Sequence, residues 1–318
     1  MSPRRKLLAL GTAITIAAGV CWTVVGGLSV AQGQTKPIEI HRAHNGSFRP
    51  NFDKPIFILA IGSDSGSKLF HRGGTPQHGR SDSIHIIAIN PKLKKATVVG
   101  IPRDSYVPIA CGSSPNKINA SMFFGGPECL VKTIENMSGG ALRFDYYMVG
   151  GFDNLINMVN DIGGVNVTVD PGLGASKHHL QDHNSRAKGI KVSASTHLNG
   201  YDALAYSRDR HDYGRGDFDR TRHQGLVLIG GLQQARKLVK TDPGKTLTFL
   251  RSIFKNVKTD ISLTEAFKLG LLALEVSPGD VTNTFLDGGT GSTPAGSSVL
   301  LNDPKPLLRN VADDAVID

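Results

Sequence analysis

Four segments of the chain set arginine beside aspartate where a regular element should begin or end. Asp64 closes Gly62-Ser63-Asp64 after an apolar run, and Arg80 and Asp82 lie in Gly79-Arg80-Ser81-Asp82 just ahead of another. Arg103 and Asp104 follow Pro102 at the end of a third run. Arg208 and Arg210 flank Asp209, and Asp217-Phe218-Asp219-Arg220 opens a segment of helical periodicity, with Gln224 four residues after Arg220. Guanidinium groups grip phosphate oxygens in pairs, and one or two carboxylates can hold a divalent cation that shares its coordination with phosphate. The set suits an anionic, diphosphate-like ligand. In an extended chain Arg80 and Asp82 share one side, as do Arg208 and Arg210, the latter as a two-guanidinium fork. Arg220 and Gln224 share one face of a helix, whose N-terminus adds partial positive charge. Any single residue of this kind is more often solvated or paired locally, as Arg208 with Asp209 or Arg220 with Asp217. The weight lies in the recurrence.

The elements that must position these residues follow from the apolar pattern. IFILAIGSDSG, SIHIIAIN and ATVVGIPRD read as strands, the last two joined by the tight turn NPKLKK. Their almost unbroken apolar character implies cover on both faces. A helix is expected from Pro127, with Leu130, Ile134 and Met137 on one face, then a strand at YYMVG. An amphipathic helix follows, carrying Phe152, Leu155, Ile156 and Val159 and stopped by Gly163-Gly164, and then a strand at VNVTV. Residues 171–197 read as an exposed irregular loop. His179 and His183 stand four apart there, near His178 and Asp182, a zinc-compatible spacing on a helix, but the segment lacks helical periodicity. YDALAYSRDR reads as strand-like, TRHQGLVLIGGLQQARKLV as a long helix, and Ser262-Leu263-Thr264-Glu265 as a capping box opening another. GGTGSTPAGSS is low in complexity, so residues 287–318 are expected to form a flexible tail. Strands alternating with helices make the chain α/β, with one domain over residues 54–286.

Arg4, Arg5 and Lys6 precede an apolar run over residues 7–30, longer than the roughly 20 residues that a helix needs to cross a hydrocarbon core. The basic flank places residues 1–6 in the cytoplasm, 7–30 as a transmembrane anchor, and the rest outside, beginning with a linker over 31–53. A cleaved signal peptide is the alternative, since Ser29-Val30-Ala31 resembles a cleavage site, although secretory apolar regions are usually shorter. Either way the domain is exported. Cys111 and Cys129 are then the pair that an oxidising compartment allows to bridge; two buried thiols are the other reading. Three cysteines exclude a four-cysteine zinc site. Lys and Arg number 36 against 27 Asp and Glu, a net charge of +9 that suits anionic partners, whether nucleic acid, membrane phosphate or phosphorylated substrate.

Five blocks occur in an order that carries a resemblance: ILAIGSDSG, GRSDSIHIIAINPKLKKATVVGIPRDSYV, KINASMFFGG, FDYYMVGGFDNLINMVNDIGGVNVTV and LNGYDALAYSRDRHDYGRGDFDRTRHQ. Together with the N-terminal run, the chain resembles the LytR–CpsA–Psr family of cell-wall glycopolymer phosphotransferases, actinobacterial type. The resemblance implies a central mixed β-sheet flanked by helices, with an N-terminal transmembrane helix. It implies transfer, dependent on Mg²⁺ (or Mn²⁺), of a glycopolymer phosphate from a polyprenyl-pyrophosphate carrier to peptidoglycan, with pyrophosphatase-like activity. It also implies an apolar tunnel for the prenyl tail, partners limited to that donor, peptidoglycan and membrane lipid, and no nucleic acid. By motif, Asp64 and Asp82 look like metal-side carboxylates. Arg80, Arg103, Lys117, Arg208, Arg210, Arg220 and Gln224 look like pyrophosphate ligands, and Arg103, Asp82 and Arg220 like the catalytic core. Asp104 is a candidate acceptor for the incoming hydroxyl's proton. Two departures stand out: His223 precedes Gln224 where many relatives have arginine, and Gly66 stands where another version of the first motif has arginine. The alternative function is a non-catalytic wall-polymer-binding or regulatory protein.

Overall fold

The computed structural model describes residues 51–318 apart from 70–72, 75–78, 169–178, 181–189, 192–194, 210–213, 242–252 and 318. Strands β1 (Ile56–Ser63), β2 (Ser81–Asn90) and β3 (Lys95–Gly100) form an antiparallel meander. Its β2–β3 turn is closed by the Asn90 side chain accepting from the Leu93 N–H at 2.9 Å. A hairpin of β4 (Tyr106–Pro108) and β5 (Pro115–Lys117) leads into helix α1 (Ser121–Met137). Strand β6 (Tyr146–Gly151) returns parallel to β1 and runs into α2 (Phe152–Asp161). The short strands β7 (Val165–Val167), β8 (His179–Leu180), β9 (Ile190–Lys191) and β10 (Thr196–Leu198) precede helices α3 (Gly200–Arg208) and α4 (Asp217–Thr241). Strand β11 (Lys258–Thr259), helix α5 (Leu263–Glu275), strands β12 (Val281–Phe285), β13 (Gly288–Thr293) and β14 (Gly296–Leu301), and helix α6 (Lys305–Asp314) complete the chain.

The main sheet has the order β11-β6-β1-β2-β3-β12, with β1–β6 and β3–β12 parallel and the other pairs antiparallel. Alternation along β1 divides the core. Phe57, Leu59 and Ile61 face α1 and α6 with Leu130, Ile134, Leu308 and Val311, whereas Ile56 and Ile58 face Leu269 of α5. Both faces are covered, as the unbroken apolar strands require. A third cluster under α4 joins Val159, Ile162, Val165, Leu198, Tyr206 and Val227. The Ser262 capping box is formed: the Ser262 N–H donates to Glu265 Oε2 at 2.9 Å and the Glu265 N–H to Ser262 Oγ at 3.3 Å.

Two expectations are corrected here. YDALAYSR is helical, not strand-like. Asn199 caps α3 by accepting from the Asp202 N–H at 3.1 Å, and Ala203 to Ser207 are all buried, so no polar face betrays the helix. Residues 287–318 form no loose tail. β13 pairs with β14 along their whole lengths, and α6 sends Leu308 and Val311 fully into the core. Described residues as far as the C-terminus share one compact unit.

The proposed anchor at residues 7–30 lies outside the described residues, as do His178, Asp182 and His183. Among the described residues no helix is long and apolar enough to cross a membrane.

Candidate active site

The site is built where β1, β2 and β3 end. Gly62 of β1 faces Ser83 and Ser63 faces Ser81, so Asp82 is an extra residue bulged out of the ladder; bulges next to functional sites re-aim side chains in this way. Gly62 permits the close approach, since a Cβ there would lie 2.8 Å from that of Ser83. The bulge also overturns the expected pairing of Arg80 with Asp82 on one side. Asp82 lines a cavity of about 420 Å³, whereas Arg80 is exposed and does not line it. Asp64 does not line it either. Its Oδ1 accepts from the Arg80 N–H at 2.9 Å and its own N–H donates to Arg80 O at 3.1 Å, closing the loop between β1 and β2.

Arg103 sits in a loop clamped from two sides. The Asn119 N–H donates to Arg103 O at 3.2 Å, the Ile118 N–H to Ser105 O at 2.7 Å, and the Val299 N–H of β14 to Asp104 O at 2.9 Å. So held, the Arg103 guanidinium pairs with Asp82 and lies 3.7 Å from Asp104. Asp104 also lies 3.6 Å from Lys117 Nζ and accepts from Asn119 Nδ2 at 3.4 Å. Lys117 thus joins the cluster through Asp104, outside the cavity wall.

Helix α4 contributes Arg220 from its first turn, 5% exposed and paired with Asp217. Burial lowers its pKa, Asp217 opposes this, and the nearby Arg103 charge lowers it further, for a net downward shift. Burial also works against charge on Arg103, but Asp82 and Asp104 outweigh it and the net shift is upward. Two guanidiniums within each other's field in a half-dry cavity constitute a place prepared for an anion. Arg208, the last residue of α3, lines the same cavity with its guanidinium 4.8 Å from the Phe152 ring centroid. Arg208 ends a helix where an extended segment was expected, and Arg210, its partner in the expected fork, lies outside the described residues. Gln224 lines the cavity, but its amide is a brace. Nε2 donates to Asp82 O at 3.2 Å and to Ser207 O at 2.9 Å, tying the bulge to the end of α3.

His223, in place of an arginine, is no second cation. It is buried, stacked on Tyr206 at 4.4 Å between centroids, and held neutral with its pKa lowered to about 3 by burial and by Arg222. His85 was not expected at all. It lies at the foot of the cavity, fully buried, with Nε2 3.0 Å from Thr221 O and Nδ1 3.1 Å from Ser83 Oγ. The rest of the wall includes the polar Ser83, Ser207 and Asp209 and the apolar Ile61, Met148, Leu155, Met158 and Val227. The cavity therefore brings three guanidiniums and several apolar side chains to one wall.

The LytR_cpsA_psr family matches residues 24–310. The chain belongs to this family. As a LytR–CpsA–Psr protein it is 32% identical over 237 residues to the polyisoprenyl-teichoic acid–peptidoglycan teichoic acid transferase TagU of Bacillus mycoides (strain KBAB4), covering 74% of this chain and 70% of that one. It is 33% identical over 217 residues to TagU of Bacillus anthracis (strain CDC 684 / NRRL 3495), covering 68% and 64%. The chain thus spans about two thirds of these relatives' lengths. The fold is similar to the crystal structure of B. subtilis TagV, with a TM-score of 0.65, 26% identity, and coverage of 82% of this chain and 96% of that one. This LytR–CpsA–Psr chain has the mixed sheet and flanking helices that its motifs imply.

The cysteines of this family member are joined. Cys111 and Cys129 form a disulfide with Cα atoms 5.8 Å apart.

Proposed function

We propose that the chain transfers a glycopolymer-bearing phosphate from a polyprenyl-pyrophosphate donor to a peptidoglycan hydroxyl, releasing polyprenyl phosphate. One observation carries the reading: Arg103, Arg208 and Arg220 line the same cavity as Ile61, Met148, Leu155, Met158 and Val227. A ligand that satisfies both parts has a concentrated anionic head and a long apolar tail. The names of the TagU relatives support the same substrate class.

In this reading the guanidiniums grip the diphosphate and hold the glycopolymer-side phosphorus toward the acceptor. The acceptor oxygen attacks it, the bond to the bridging oxygen breaks, and the hydroxyl proton is released. Negative charge that accumulates on the leaving phosphate is met by fixed cations, so positioning and electrostatics supply the rate gain. Gln224 acts by keeping Asp82 and Ser207 in register.

A magnesium ion belongs to this reading. Among the described residues no three His, Cys, Asp or Glu side chains converge, so a cage made of protein alone is not built. Magnesium is commonly held by one or two carboxylates together with substrate phosphates, and Asp82 in the cavity wall fits that mode. Asp82 would hold the ion, which would neutralise charge on the diphosphate.

We place the domain outside the cytoplasm at the membrane surface, tethered through residues 7–30. The Cys111–Cys129 disulfide supports an oxidising compartment.

The test uses the full-length chain in detergent with geranyl diphosphate and Mg²⁺, reading inorganic phosphate. Arg103→Ala should lower turnover by about 10²–10³, the scale for one lost transition-state contact, with an unchanged melting temperature. Normal turnover by both Arg103→Ala and Asp82→Ala would refute the site.

A further inference from the structure

Strand β2 buries one residue that its apolar pattern does not call for. Ile84, Ile86 and Ala88 join the core under α1, whereas His85 points to the opposite face, fully buried and part of the cavity wall. Room for its ring comes from its small neighbours across the sheet, Ala60 of β1 and Gly100 of β3. A Cβ on Gly100 would lie 3.2 Å from His85 Nε2 and 2.3 Å from Thr221 Cγ2, so the start of α4 packs directly on β3 beside the imidazole. There Nε2 meets Thr221 O at 3.0 Å. A carbonyl only accepts, so Nε2 carries the proton, and Nδ1 accepts from Ser83 Oγ at 3.1 Å. Ser83 is the residue that follows the bulged Asp82.

The bulge is thereby tied to α4 at two points. Gln224 donates to Asp82 O at 3.2 Å, and His85 links Ser83 to Thr221 O. A bulge interrupts the ladder that would otherwise hold it, and the Gln224 bond alone would leave it a pivot at the Asp82 carbonyl; the second tie removes that freedom. Thr221 follows Arg220 in the same helix. The carboxylate that pairs with Arg103 and the guanidinium of Arg220 therefore belong to one braced unit. Misplacing a group at a reacting centre by about 1 Å can cost on the order of 10²-fold in rate. We infer that His85 is a positioning residue, pinning the Asp82 bulge to the start of α4 so that Asp82 and Arg220 keep one placement toward the diphosphate. It acts through Asp82 and not on the reacting atoms. This rests on the transferase reading above and adds a residue to its machinery.

The experiment uses the full-length chain in detergent, with His85→Leu to break both ties and His85→Gln, which carries a donor and an acceptor, as the conservative control. Two quantities are read: kcat and KM for phosphate release from geranyl diphosphate, and amide hydrogen exchange along β2 and β6. The leucine variant should lose at least tenfold in kcat with KM within twofold. Its amides at residues 81–84 should exchange at least tenfold faster while those of β6 are unchanged. His85→Gln should bring kcat back to within threefold of the wild type. In an Asp82→Ala background the leucine substitution should change kcat by less than twofold, because the group it positions is gone. A tenfold loss that persists in that background overturns the assignment, as does a folded leucine variant with wild-type kcat. Should the leucine variant not fold, Ser83→Ala, which breaks one tie, is read in the same way, and less than a threefold loss in kcat overturns the assignment. Faster exchange confined to the bulge of the leucine variant, in a chain that never cleaves the donor, would sustain the pin while sinking the transferase reading.

Discussion

His85 is held between two partners that fix its proton: the Thr221 carbonyl accepts from Nε2–H, leaving Nδ1 to accept from the Ser83 hydroxyl. Burial outweighs that carbonyl and lowers its pKa to about 4, and His223, stacked on Tyr206, falls to about 3. Both are neutral when folded and take protons near pH 6.5 when unfolded. The unfolded chain therefore binds more protons below pH 6.5, and stability falls as pH falls from there toward 4 and 3. Between pH 7 and 5 the loss should be about 2 kcal/mol per histidine. Urea unfolding at the two pH values checks this. His85→Gln, which keeps a donor for Thr221 and does not titrate, should remove about half of the difference; an unchanged difference would discard the account. Sequence pattern alone pointed to Asp82, Arg103, Arg208, Arg220 and Gln224 because strand and helix ends bring such residues together, and all five line the cavity. It misplaced Arg80 because a bulge is invisible in periodicity, and it missed His85 because its partner is 136 positions away.

Elements were legible where one face is apolar and the other polar, as in α2, with its stop at Gly163 and Gly164, both at positive φ. Helix α3 escaped because it is buried nearly all round; its only local signal was Asn199 as a cap for Asp202. The β13–β14 hairpin escaped because its small residues resemble a linker, yet β14 holds Asp104 through the Val299 N–H. Helix α6 gives the direct check. Leu308→Ala should cost 2–5 kcal/mol in urea unfolding, the range for a fully buried leucine; a mobile tail would give no change. Cys129→Ser should cost on the order of 3 kcal/mol, since the bridge closes a loop of moderate length across a sequence separation of 18. Equal unfolding midpoints for the oxidised wild type and the variant would remove the bridge from the stability account.

At the scale of the molecule the cavity exists because residues from Ala60 to Val257 converge on one end of the sheet. Its charged lining comes from the β2 bulge, the loop after β3 and the ends of α3 and α4, and its apolar lining from β1, β6, α2 and α4. No local pattern encodes that convergence; only the order of the family's motifs hinted at it. On the proposed reading, a donor whose diphosphate is gripped by the guanidiniums lays its hydrocarbon along the apolar wall, where each buried methylene contributes about 0.8 kcal/mol. Longer prenyl chains should therefore bind more tightly until the cavity is full. Met158, in the wall contributed by α2, allows the cavity to be shortened without touching the cations. Met158→Trp should raise KM for a long polyprenyl diphosphate at least tenfold and leave geranyl diphosphate within twofold, with turnover at saturation preserved for both. Parallel losses on the two substrates would mean that the tail lies elsewhere, and the apolar wall would then be core packing with no part in donor recognition.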